Sequence, residues 1–266
     1  MPEVSNSDLR TFPYAAVGLL VATFPDGSVR TGVASVIGKN DVITALSLIY
    51  DPELDWASDL KFYSGADYNV VTNQIESVVY SLDSPGIRWQ AKGYTNQLYS
   101  DSDNTTFLQT ESQYDIAVIG FSEELGNVTG WLGLDPARDT NNQSFSTLGY
   151  SGSEGMVSLT VSVDRPLFAG VYVSDENPFS KSMDRSAGSP LFTEDGYLVG
   201  TRSTTNWWAD IGFVYDFIIS EIQANDTLLP NSADTIAPTL LSVSPLDETR
   251  NVEIDANLVF SFSESI

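Results

Sequence analysis

Between Phe12 and Tyr215 the chain runs as short stretches of β-branched and aromatic residues separated by clusters of Gly, Asn, Asp and Ser. Few of these stretches carry an i, i+3, i+4 apolar stripe, so they read as strands rather than helices. Expected strands are 16–23, 33–37, 74–81, 116–120, 144–148, 157–163, 167–173, 191–192 and 197–204. Pro25-Asp26-Gly27 and Glu194-Asp195-Gly196 supply the turn residues that hairpins require between them. So many short strands in about two hundred residues indicate a sandwich or a pair of barrels, an all-β fold. One stretch breaks the pattern: Val214, Phe217, Ile218 and Ile222 recur at helical spacing, which predicts a single amphipathic helix over 213–224.

Hydrophobic residues make up 42% of the 266, enough for at least one well-buried core. Against 36 acidic residues stand only 12 basic ones, a net charge of −24 that repels nucleic-acid backbones and anionic membranes and excludes both as main partners. Cysteine is absent, which removes disulfides, thiolate metal sites and thiol catalysis together. The apolar run from Tyr14 to Phe24 is too short to span a bilayer and has no basic segment before it, so neither a signal peptide nor membrane insertion is expected. Histidine is absent too, and with it the usual proton carrier near neutral pH.

The polar segment 226–236, with Pro230, Asn231 and Ser232, reads as a linker. Beyond it 237–266 alternates apolar and polar residues in two stretches, 239–243 and 258–262, too few strands to bury a sandwich core. The expected organisation is an N-terminal extension 1–11, a main domain 12–225, the linker, and a partial second domain 237–266.

Several motifs follow one another within the main domain. Thr31-Gly32-Val33-Ala34 precedes Asn40-Asp41-Val42-Ile43-Thr44-Ala45-Leu46-Ser47; Tyr114-Asp115-Ile116-Ala117-Val118 and Gly130-Trp131-Leu132-Gly133-Leu134 come next. Then stand Leu148-Gly149-Tyr150 and Arg185-Ser186-Ala187-Gly188-Ser189-Pro190-Leu191-Phe192. In this order and spacing they resemble the chymotrypsin-like serine peptidases, in particular the bacterial glutamyl-endopeptidase branch. The resemblance implies two six-stranded antiparallel β-barrels closed by the C-terminal helix. It places Ser47 where the family has its catalytic histidine, Asp115 at the triad aspartate, Ala187 at the nucleophile and Arg185 at the usual oxyanion-hole glycine. The tail, from Asp234 through Ser244-Pro245 to Glu264, resembles the start of bacterial Ig-like repeats. That implies a truncated Ig-like β segment and a secreted or surface setting.

A serine attacks a carbonyl only because an imidazole takes its proton, while the aspartate orients that imidazole. Ser47 has no accessible protonation near neutral pH, Ala187 offers a methyl group, and Arg185 disfavours backbone angles reserved for glycine. A catalytically inactive protease-fold module is therefore expected, holding a peptide or protein ligand in the degenerate cleft and using no cofactor. An alignment shifted by one residue makes Ser186 the fallback nucleophile of an active endopeptidase. A Ser–Lys pair would then draw on Lys39, Lys61, Lys92 or Lys181. A third reading is a purely structural spacer. Asp115, without an imidazole, needs other donors, and Ser47 is expected to supply one. Asp101 and Asp103, beside Asn104, are oxygen donors for calcium in kind only, since the segment lacks the glycine and glutamate of a calcium loop. Trp207 and Trp208 are expected in a loop bordering the cleft.

Overall fold

Apolar residues that alternate along short strands build two sheets, whose central strands are buried on both faces. The structure, a computed structural model, describes residues 3–69, 72, 74–100, 109–138, 143–150, 155–164, 170–174, 179, 185–204, 206–230, 240–244 and 259–262. They fall into two units, Met1–Pro230 and Asn231–Ile266.

The first sheet of the larger unit contains β1 (Val17–Thr23), β2 (Val29–Val36), β3 (Asp41–Thr44), β4 (Asp59–Ser64), β5 (Tyr80–Leu82), β6 (Trp89–Gly93) and β7 (Ala117–Phe121). Its seven strands run in the order β6-β7-β3-β2-β1-β4-β5 as a half-barrel, each pair antiparallel. The period of two divides its side chains cleanly. Leu20, Ala34, Val42 and Ala117 turn inward onto Phe62 and Phe121. Their neighbours Leu19, Val33, Ile43 and Val118 turn the other way, onto Leu148, Tyr150, Phe192 and Leu198 of the second sheet.

That second sheet contains β8 (Gly133–Leu134), β9 (Gln143–Tyr150), β10 (Met156–Asp164), β11 (Val171–Ser174), β12 (Pro190–Phe192), β13 (Tyr197–Thr204) and β14 (Trp207–Asp210). The order is β8-β13-β12-β9-β10-β11-β14, and β14 pairs back onto β13, so β9 to β14 close a barrel with β8 added in parallel outside it. Phe145, Tyr172, Phe179, Leu191 and Trp208 fill the interior. The helix Tyr215–Asn225 follows a 3-10 turn, Ile211–Val214, whose start is capped by the Asp210 carboxylate accepting from Gly212 N–H at 2.8 Å. It packs on β7. The expected chymotrypsin-like two-barrel layout with a closing helix is present, but where two six-stranded barrels were expected, among the described residues only the second closes with six strands, the first being a half-barrel sheet of seven.

Several boundaries differ from the sequence reading. Residues 3–11 are a strap rather than an extension: Glu3 bridges Val157, Val4 N–H donates to Met156 O at 2.8 Å, and Leu9 is buried. The first unit also runs past 225, because Asp226–Leu228 continues the helix as a 3-10 turn and Leu229 is buried; the rest of the expected linker, 231–236, lies outside the described residues. Stretch 74–81 is two strands, Gln74–Ser77 and Tyr80–Leu82. Trp207 and Trp208 are in β14 rather than in a loop, and Trp208 is fully buried. Among its described residues the second unit shows one antiparallel pair, β15 (Leu240–Ser244) with β16 (Val259–Phe262). Among the described residues no helix is long and apolar enough to cross a membrane.

Candidate active site

Strand β3 ends at Thr44, and the chain turns through extended Ala45 into the short helix Leu46–Ile49, which carries Ser47. Asp115 sits on the turn before β7 and has no exposed surface. The two meet. Asp115 Oδ1 accepts from Ser47 N–H at 2.7 Å, and Oδ2 accepts from the Ser47 hydroxyl at 3.0 Å. A third donor comes from the second barrel: the Ser203 hydroxyl, on β13, donates to Oδ2 at 2.6 Å. Burial pushes the Asp115 carboxyl above its ordinary value, and the bonds from Ser203 and Ser47 pull against that rise. The expected Ser47–Asp115 contact is therefore present and direct, within a cradle of donors that also includes Ser203 and the Leu46 backbone N–H.

Around this cradle the wall is aromatic. Tyr99 stacks on Tyr50 with ring centroids 5.9 Å apart, and Tyr50 meets Trp56 at 5.2 Å. Burial, then the neighbouring charge of Asp115, pushes the Tyr99 phenol well up, so it remains a neutral hydroxyl. Arg30 donates to Ser47 O at 3.0 Å, pairs with Asp51, and lies 4.5 Å from the centre of the Phe24 ring. The Ser47 turn is thereby held from both ends, by Asp115 at its N–H and by Arg30 at its carbonyl.

Ala187 reaches the same place from the second barrel. Its carbonyl accepts from Val33 N–H at 2.8 Å, and its side chain packs on the cluster that contains Leu46, Leu48 and Tyr99. A Cβ built on Gly32 would stand 2.6 Å from Leu48 Cδ2 and 2.7 Å from Ala187 O, so the missing side chain at 32 is what lets the two barrels approach. Gly188 is as constrained: its φ is +82°, and a Cβ there would strike Val33 O and Thr44 Oγ1. Gly188 N–H donates to Arg202 O at 2.8 Å and Arg202 N–H to Ser189 O at 2.8 Å, which fastens the loop to β13.

The remaining candidates fall elsewhere. Ser186, the fallback nucleophile, has no exposed surface, and its hydroxyl accepts from Arg202. Arg202 is itself buried, with its guanidinium 5.1 Å from the centre of the Phe179 ring, and burial lowers it to about 10. Arg185 is half-buried and does not adopt a left-handed backbone; Asp55 is the one non-glycine with positive φ among the described residues. Lys39 pairs with Glu124 at 2.9 Å and Lys92 faces Glu221 at 4.0 Å, while Lys181 lies outside the described residues. Asp101 and Asp103 lie outside them as well, and among those described no group of three or more metal-ligating side chains converges.

Two residues that hold the site and its loop were not singled out from the sequence: Ser203, which donates to Asp115, and Arg202, which fastens the loop 186–189. Both are polar residues inside a strand that is buried on both faces, and that misfit with the apolar run around them is the signal that marks them.

No profile of a known protein family matches the chain, and no curated protein matches it. Solved structures do. A Glu endopeptidase in complex with MPD superposes with a TM-score of 0.61 at 17% identity, covering 84% of this chain and 96% of that one. A scabies mite inactivated protease paralogue gives 0.59 at 16%, with 84% and 99% covered. The protease Anisep from Arthrobacter nicotinovorans gives 0.53 at 15%, with 79% and 96% covered. At such identities the likeness establishes the fold, which is that of the chymotrypsin-like serine proteases.

Proposed function

We propose that this chain is a catalytically silent module of the chymotrypsin-like fold, which binds a peptide or protein segment in its former cleft. The observation that carries the reading is the hydrogen-bonding of Asp115. In a working triad this carboxylate holds an imidazole. Here it is held by Ser47 and Ser203, no imidazole exists in the chain, and a methyl group stands at 187. Attack on a carbonyl needs a nucleophile and an acceptor for its proton, and neither is at hand. The mite structure, described as an inactivated protease paralogue, is a precedent for the fold without its activity.

The competing reading, an active endopeptidase through Ser186, runs against that hydroxyl's burial and its bond from Arg202. No substrate carbonyl reaches an oxygen with no exposed surface. The acidic composition and the resemblance of the tail to bacterial Ig-like repeats support a place in a secreted or surface protein. The test is hydrolysis of casein and of fluorogenic peptides by the purified chain and by Ser186→Ala. The reading expects rates equal to buffer for both; turnover that Ser186→Ala abolishes would overturn it.

A further inference from the structure

A second buried carboxylate lies away from the cleft, at the opposite end of β3. Asp41 has no exposed surface, and among the described residues no lysine or arginine forms an ion pair with it. Its Oδ1 accepts from Asn225 Nδ2 at 2.7 Å. Its Oδ2 is buried without a partner against Gly38, where a Cβ would stand only 2.6 Å away. Asn225 is the last residue of the C-terminal helix and is itself buried. Its side-chain oxygen accepts from Gln90 Nε2 at 2.7 Å, and its carbonyl accepts from Asn40 Nδ2 at 3.0 Å. Asn40 Nδ2 also donates to Phe121 O at 2.8 Å. Gly120 makes room for this group, since any Cβ there would collide with the Asn225 side chain. One polar knot thus ties β3, β6 and β7 to the end of the helix.

The charges around the knot set its protonation. Asp226, next along the chain, repels a second negative charge. Arg88 reaches the Leu228 carbonyl at 2.9 Å, Lys39 is taken by Glu124 and Lys92 by Glu221. A carboxylate buried with one strong donor and no cation favours its neutral form, in which the proton sits on the otherwise unpartnered Oδ2. Burial accordingly pushes Asp41 up to about 7, with the Asn225 side chain and the Asn40 backbone N–H opposing and Asp226 adding to the rise.

We propose that Asp41 is the proton switch of a clasp between the C-terminal helix and the first sheet, closed when it is protonated and weakened when it is ionised. The sign follows from linkage. An opened clasp exposes an ordinary carboxyl, which titrates near 3.8, whereas the closed one keeps its proton up to about 7. Closure is therefore fully favoured below the lower value. Opening then rises about tenfold per pH unit and levels off above the upper one.

Hydrogen exchange of the segment 215–228, corrected for intrinsic rates, tests this at pH 5 and pH 7.5. In the wild type its protection should fall about 100-fold between the two, as the tenfold-per-unit rule gives over that window. Protection of β9 and β10 should change far less. Asp41→Asn should hold equal protection at both pH values. Equal protection in the wild type, or an undiminished fall in Asp41→Asn, would overturn the proposal. Should that variant fail to fold, a carbon-13 titration of the wild-type Asp41 carboxyl decides: a midpoint near neutrality supports the switch, and one below about 5 refutes it.

Discussion

Replacing Asp115 by Asn separates a structural carboxylate from a catalytic one. In a working triad this change leaves the geometry intact and lowers kcat by about 10⁴. Here the carboxylate accepts from Ser47 N–H, the Ser47 hydroxyl and the Ser203 hydroxyl. An amide can keep all three, because Oδ1 still accepts from the N–H, while both hydroxyls can rotate to accept from Nδ2. Each bond to an ionised group is worth about 1.5–3 kcal/mol and each neutral one about 0.5–1.5, so roughly 3–4.5 kcal/mol of hydrogen bonding is given up over the three. Against that, the buried charge and its desolvation penalty of several kcal/mol disappear. Asp115→Asn should therefore lie within about 1 kcal/mol of the wild type near pH 7.5, with hydrolysis absent in both. Asp115→Ala, which strands three donors, should lose about 3–5 kcal/mol. Because burial raises the Asp115 carboxyl, its contribution to stability is greatest in acid and falls as pH rises through the folded value. The Asn variant should lack that part of the slope. Denaturant unfolding followed by tryptophan fluorescence at pH 5.5 and 8 measures all of this. An Asn variant as unstable as the Ala variant, or one that keeps the full slope, would refute the argument.

Two further outcomes follow from the same geometry. Gly188→Ala forces a side chain onto Val33 O at a φ of +82° and should cost about 3 kcal/mol or more in a thermal or denaturant melt, whereas Ser189→Ala beside it should cost far less. Restoring the family residues with Ser47→His, Ala187→Ser and Arg185→Gly together should raise peptide hydrolysis from the buffer rate by at least about 10³. A well-folded triple variant that remains inert would mean that the cleft has lost more than its triad.

The order of the motifs pointed to the Ser47–Asp115 contact, because each of the two sits at a strand end or turn with its own local pattern. Less visible were elements whose apolar signal is diluted. Asp59–Ser64 interleaves Lys61 and Tyr63 with Leu60, Phe62 and Ser64, so its buried positions alternate with partly exposed ones and its apolar content is too low to stand out in the sequence. Trp207 and Trp208 were expected in a cleft-side loop of the resembling fold, but their strand pairs with both β11 and β13 and so closes the barrel. The third donor to Asp115 lies 88 residues away in sequence, and the partner of Asp41 lies 184 away. No local period encodes pairings at such distances. A polar residue inside a buried strand announces that it needs a partner, without naming it.

A fluorophosphonate probe asks the central question most simply, because it forms a covalent bond only with a serine that some neighbouring base has made nucleophilic. Intact-mass measurement after prolonged incubation should show the unmodified chain alone, while the restored triple variant gains one probe. A stoichiometric adduct on the wild type, mapped to Ser186, Ser189 or Ser47, would contradict the account outright.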